Sequence, residues 1–250
     1  MYGFLFRPRW LLFHVVVVAG ITAMMFAGFW QLDRLSERKE FNARVIERSQ
    51  TEPSSLRSVL SRIEDGSLTP DEAEWLPVVV DGTYLPDQVL NFNKSQGGRA
   101  GDNVLTAAVT DDGDTVIVNR GFIPLGIDVP AAPATAVRGR GYVRLSEVRE
   151  RGGVTDTDDG EPLTEIRRVD LERLARQFPG DVAPVYVQLI ASDPPIAVGD
   201  PEPVVLPELS NGPHLSYAIQ WFTFSLAVVV GWVLAVRRSL KTRLTAEASG

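Results

Sequence analysis

Two stretches of this chain are apolar for the thickness of a bilayer, residues 10–32 and 215–236, and they lie at its opposite ends. A hydrocarbon core about 30 Å thick takes about 20 apolar residues in a helix, and neither stretch contains Asp, Glu, Lys or Arg. Between them lies a polar body punctuated by Pro and Gly. The pattern predicts an α+β membrane protein with one domain carried between two transmembrane helices. The expected bounds are a cytoplasmic segment 1–10, helix 11–32, domain 33–213, helix 214–236 and tail 237–250.

Cations set the expected orientation, because short loops rich in Lys and Arg stay on the cytoplasmic side. Arg7 and Arg9 precede the first run, and Arg237, Arg238, Lys241 and Arg243 follow the second. Arg34, Arg38 and Lys39 oppose this, but Asp33, Glu37 and Glu40 are interleaved with them. Residues 200–216 carry neither Lys nor Arg. Both termini are therefore expected in the cytoplasm and the domain outside. The first run is too long for an ordinary signal-peptide core and is followed by Gly28-Phe29-Trp30-Gln31, not by a small-residue cleavage site. It reads as an uncleaved anchor. With no Arg- and Ser-rich leader ahead of it, a bacterial plasma membrane is expected.

The central segment suffices for one hydrophobic core. With no cysteine among 250 residues, disulfides, thiolate metal sites and Cys nucleophiles are excluded together. A net charge of −7 without a basic stripe excludes nucleic acid as a partner. No G-x-S-x-G elbow, phosphate-binding loop or H-E-x-x-H is present, so no enzyme class is indicated. Gly97-Gly98-Arg99-Ala100-Gly101 reads as a flexible loop. The acidic segment 155–160, with Asp156, Asp158 and Asp159, lacks the ligand spacing of a calcium loop.

Period and punctuation predict that the first helix runs on to Ser49, with Leu35, Phe41, Val45 and Ile46 as its apolar stripe. A short helix is expected over 56–63. Strands are expected over 76–84, 88–92, 104–110, 115–119, 137–145 and 185–190, and a helix over 169–178. Asp111-Asp112-Gly113-Asp114 marks a hairpin turn. The domain reads as mainly antiparallel β with a few short helices.

The chain has two histidines, His14 near the cytoplasmic start of the first helix and His214 at the outer start of the second. From His14 to Leu32 the helix rises about 27 Å, so one chain cannot bring both to one iron. Tyr217, Trp221 and Ser225 follow His214 on one helix face, and Trp30, Gln31 and Arg34 arrive at the same depth from the first helix. This set has the chemistry to ligate iron through His214, stack a porphyrin on Trp221 or Trp30, and pair a propionate with Arg34. It also describes an interfacial aromatic belt with Arg34 and His214 at headgroup level, the reading preferred on residue chemistry alone. His14 reads as a packing or snorkelling residue. Ala19, Ala23 and Ala27, and Ala227, Gly231 and Ala235, repeat every fourth position and suit close helix approach, either to each other or to a partner.

Three segments then resemble one family. Gly28-Phe29-Trp30-Gln31-Leu32-Asp33-Arg34 is similar to the G-x-W-Q-x-x-R signature of the SURF1 family. Residues Val118-Asn119-Arg120-Gly121-Phe122-Ile123-Pro124 are similar to its V-N-R-G-[FW]-[VI]-P motif, and 211–222 to N-x-x-H-x-x-Y-A-x-x-W-[FY]. Arg38 stands where many members carry Lys. The resemblance implies an assembly factor for haem–copper terminal oxidase of the cytochrome c oxidase type, assisting haem a on its way to the catalytic subunit. It puts the haem ligand on His214 and the motif residues on Gly28, Asn119, Arg120, Gly121 and Pro124. Arg120 reads as architectural or as facing the helix mouth, with the architectural role preferred because turn glycines and their neighbours usually shape backbone. The alternative function is a permanent accessory subunit of the oxidase, or of a respiratory supercomplex, that never touches free haem.

Overall fold

A computed structural model gives the fold and describes residues 3–147 and 162–248. In chain order, a 3-10 turn (Gly3–Phe6) leads into α1 (Pro8–Ser49), β1 (Ser54–Ser55), α2 (Leu56–Glu64), α3 (Pro70–Ala73) and β2 (Pro77–Gln96). There follow β3 (Arg99–Thr110), β4 (Thr115–Pro124), β5 (Val137–Leu145), β6 (Glu165–Ile166), α4 (Leu171–Ala175), β7 (Val182–Asp193) and α5 (His214–Ala248). The chain divides into a helical unit, Met1–Arg44 with Glu208–Gly250, and a domain, Val45–Pro207. The acidic segment 155–160 lies outside the described residues.

In the helical unit, α1 has 42 residues and α5 has 35, about 63 and 52 Å of helix. Both outrun their apolar stretches. Past Leu32, α1 is sustained by Arg34–Glu37 at 2.6 Å and Ser36–Glu40 at 3.3 Å, spaced i,i+3 and i,i+4. The expected tail from residue 237 continues the helix of α5 through Ala248. Both helices are long and apolar enough to cross a membrane, and only 6% of each apolar window is buried within the protein, unlike the core helix of a soluble fold. The approach to α5 is tied to α1. Arg38 donates to the carbonyls of Ser210 and Glu208, each at 3.2 Å, and Asn42 Nδ2 to Leu209 O at 3.1 Å and Asn211 Oδ1 at 3.2 Å.

The domain is a sheet whose pairings close on themselves. The order β2-β3-β4-β7-β5 returns to β2, because β2 is 20 residues long and serves two neighbours, β5 along 77–82 and β3 along 82–96. Closure leaves no long unpaired edge in the ring. Four pairings are antiparallel, while β4–β7, β1–β2 and β2–β6 are parallel, so the sheet is mixed. Alternation along the strands sends side chains to two cores. Val80, Ala108, Val118, Val143 and Val187 meet α2 in one, and Leu105, Ile117 and Tyr186 meet Ile166 and α4 in the other.

Several sequence expectations are revised by these contacts. The strands expected at 76–84 and 88–92 are one strand, with a register shift between Tyr84 and Gln88 where Pro86 interrupts the ladder. The expected flexible loop at Gly97 is a two-residue hairpin turn, with φ of 57° and 75° at Gly97 and Gly98, and Arg99 to Gly101 already belong to β3. The helix expected over 169–178 spans Leu171–Ala175, because Asp170 caps it by accepting from Arg173 N, yet Val169 and Phe178 are buried all the same. Helix α3 was not foreseen. Thr69 and Glu72 form a capping box around Pro70, a signal present in the sequence.

Candidate functional site

The helical unit joins its two helices at two polar contacts, each built on a histidine. At one, His214 Nδ1 lies 2.9 Å from Gln31 Oε1. At the other, Trp232 Nε1 donates to His14 Nδ1 at 2.9 Å. Gln31 to His14 and His214 to Trp232 are each about 26 Å of helix, which makes the pair antiparallel and keeps the imidazoles far apart.

The two contacts leave the rings in opposite tautomers. The amide oxygen of Gln31 only accepts, so Nδ1 of neutral His214 carries the proton and Nε2 keeps its lone pair. The indole N–H only donates, so Nδ1 of neutral His14 is bare and Nε2 holds the proton. His214 is thus the histidine with an uncommitted nitrogen ligand. Gly212, with φ of 63°, packs beside that nitrogen, and a Cβ there would stand 3.4 Å from Nε2. A side chain at position 212 would crowd the lone pair. Sequence reasoning passed over Gly212, although its place two residues before the histidine was the available signal.

Around His214 the expected residues are only partly assembled. Gln31 faces it, and the adjacent Trp30, about 100° around the helix, is 58% exposed. Tyr217 is 49% exposed, and Trp221 is half-buried with its ring edge-on to Phe224 at 6.3 Å. Arg34 is held by Glu37 on its own helix. Gly28 marks the close approach of the helices: a Cβ there would lie 2.5 Å from the Phe222 ring, and Ala218 on α5 is buried. The alanine stripes do not make that contact. Ala19, Ala23, Ala227 and Gly231 are exposed. Trp10 and Phe13 flank His14 with ring centroids at 5.7 and 6.0 Å.

The middle motif lies inside the domain. Asn119 Oδ1 accepts from Gly121 N at 3.1 Å, and Pro124 ends β4 opposite Gly101. Gly121 has φ of 141°, and a Cβ there would run into the carbonyl oxygens of Glu202 and Pro201. The bare backbone is what lets Phe122 N donate to Glu202 O at 2.6 Å and Glu202 N to Phe122 O at 2.8 Å. Arg99 pairs with Glu202 alongside. That hydrogen bond holds the Glu202 carboxyl below its ordinary value. Arg120 takes its hydrogen bonds within the domain, from Nη1 to Gln88 Oε1 at 2.6 Å and to Pro130 O at 3.3 Å.

Fold and site together define a class: two apolar helices flanking a closed mixed sheet, with an amide-oriented histidine at the start of the second helix. The SURF1 family model matches residues 18–226, and the chain belongs to that family. An uncharacterized SURF1-like protein of Mycobacterium bovis is 32% identical over 237 residues, covering 92% of this chain and 84% of its own. SURF1-like proteins of Monosiga brevicollis and Rickettsia felis are 25% and 23% identical, over 84% and 88% of this chain and 82% and 95% of their own.

Proposed function

We propose that this protein is a non-catalytic membrane assembly factor for a haem–copper terminal oxidase, and that the His214 end of its helical pair receives haem a bound for the catalytic subunit. Haem a is cargo in this reading, a redox group destined for the oxidase. The observation that carries the proposal is the Gln31–His214 contact at 2.9 Å, which orients the imidazole and leaves Nε2 unshared. Fixing the tautomer of a ligand histidine through its other ring nitrogen is the common arrangement at iron and zinc sites.

The neighbouring residues fit a porphyrin in part. Trp30 and Tyr217 offer exposed aromatic surface, whereas the Arg34 guanidinium already shares its charge with Glu37 through Nη1. The distribution of Lys and Arg supports both termini in the cytoplasm of a bacterium and the domain on the outer side.

The test is the optical spectrum of the protein purified from cells that make haem a, beside His214→Ala at equal expression. A haem a spectrum present in the first and lost in the second is expected. Haem absent from both, with oxidase subunits still co-purifying, would make this end a docking surface and the protein a scaffold.

A further inference from the structure

Arg120 has a second feature that its architectural contacts leave unexplained. It is the extra residue at an irregularity in β4: Asn119 pairs with Leu105 and Gly121 with Val104, so no residue of β3 stands opposite it. Such a bulge re-aims one side chain out of the strand's alternation. The side chain it re-aims is a guanidinium that is only 5% exposed. Of its five N–H groups, those on Nη1 serve Gln88 and Pro130. Nε and Nη2 have no protein acceptor, and no carboxylate lies within 4.0 Å of the group among the described residues. Nε and Nη2 are not among the fully enclosed side-chain atoms without a partner, so these two donors reach accessible space.

Arg120 lines a cavity of about 250 Å³. Tyr84 stands in the same wall, its ring centroid 5.7 Å from the guanidinium carbon and its hydroxyl raised above the ordinary tyrosine range by burial. The rest of the lining is mostly apolar, with Val137, Leu189 and Ile196 against several prolines. Asp200 also lines it, with Oδ2 accepting from Ala197 N at 2.9 Å. The volume falls below the range of about 300–1,000 Å³ usual for drug-sized ligands.

We propose that this cavity is a binding site for a small organic monocarboxylate, whose oxygens take the Nε and Nη2 donors of Arg120 and the hydroxyl of Tyr84 while its short apolar tail lies against Leu189 and Ile196. A planar guanidinium with two adjacent free donors matches a carboxylate in both charge and fork geometry. Asp200 sets the charge limit: it already offsets Arg120, so a dianion such as phosphate would meet the stronger repulsion, whereas one carboxylate adds a single negative charge that the fork of hydrogen bonds must hold. The site lies wholly within the domain and does not depend on the haem reading.

Titration calorimetry of the full-length protein in detergent with propionate and benzoate, at constant ionic strength, tests it. Saturable binding of one molecule per chain is expected, weakened by about tenfold or more in Arg120→Gln, as befits hydrogen bonds to a charged group. Ala197→Trp, which fills the cavity while leaving Arg120 and Gln88 in place, should abolish binding with thermal unfolding unchanged. Binding that survives Ala197→Trp, the absence of any saturable heat, or a preference for inorganic phosphate would each overturn the proposal.

Discussion

The domain and the helical unit hold together in opposite ways. In the domain, five strands close on one another and divide their apolar side chains between two cores, so stability is spread over dozens of residues. In the helical unit nearly all the apolar surface faces outward, and specificity rests on a few contacts at two depths: Gln31 with His214, Gly28 against Phe222, and Trp232 with His14. Apolar surface that stays outside the protein contributes little to holding two helices together, so their register depends on those few contacts. Damage to the domain should therefore read as lost fold, and damage to the helical contacts as lost function on an intact domain.

The largest effect is expected from Gly121→Ala. Its φ of 141° disfavours any side chain, and the new Cβ would collide with the Glu202 carbonyl. Strain plus the broken Phe122–Glu202 bridge should cost about 2–4 kcal/mol. Chemical denaturation and steady-state accumulation of the full chain would report it. A variant as stable as the parent would show that the 201–203 segment is not part of the cooperative domain.

Gln31→Ala comes next and breaks the comparison from the other side. Domain unfolding should be unchanged, while recovery of haem a or of co-purifying oxidase subunits should fall about as far as in His214→Ala. If Gln31→Ala behaves as wild type while His214→Ala does not, the amide has no part in orienting the ring. The copy ratio of this protein to mature oxidase in the same preparations separates a transient factor, expected to be substoichiometric, from a permanent subunit.

His14→Phe should act more weakly, since it removes one hydrogen bond from Trp232, a contribution of about 0.5–1.5 kcal/mol, and keeps the ring packing with Trp10. The difference in tryptophan fluorescence between His14→Phe and the parent would register the loss. Haem a recovery should be unaffected, because the two histidines lie at opposite ends of the pair.

The same contrast governs what could be read from the sequence. Elements announced by local patterns were legible: α1 to Ser49, the hairpin at 111–114, and β5 at its observed bounds. Ring closure was not, because it depends on β2 running through the Pro86 irregularity to reach two partners far apart in the chain. At the helical contact, sequence placed Trp30, Gln31 and His214 at one depth but could not say which neighbour faced the imidazole. Trp30 and Gln31 differ by about 100° of helix, and only packing chooses between them. The ties from Arg38 and Asn42 to residues 208–211 are side chain to backbone for the most part, a kind of contact that leaves no residue pattern to find.

The smallest expected effect concerns the Arg99–Glu202 pair on the domain surface. Both side chains are about half exposed, so solvent screens them and the pair alone adds little at neutral pH. Its signature is the pH dependence. Glu202 titrates below its ordinary value of 4.5, chiefly because Arg99 hydrogen-bonds its carboxylate. A depressed carboxyl stabilises the fold above its unfolded pKa and loses that contribution as pH falls through the folded one, so the loss belongs to the acid side of pH 4.5. Arg99→Ala should flatten the fall in melting temperature there while shifting it only slightly at pH 7. An acid limb equally steep in both proteins would mean that other carboxylates drive it. The Phe122–Glu202 backbone bridge would then hold the 201–203 segment without help from the side chains.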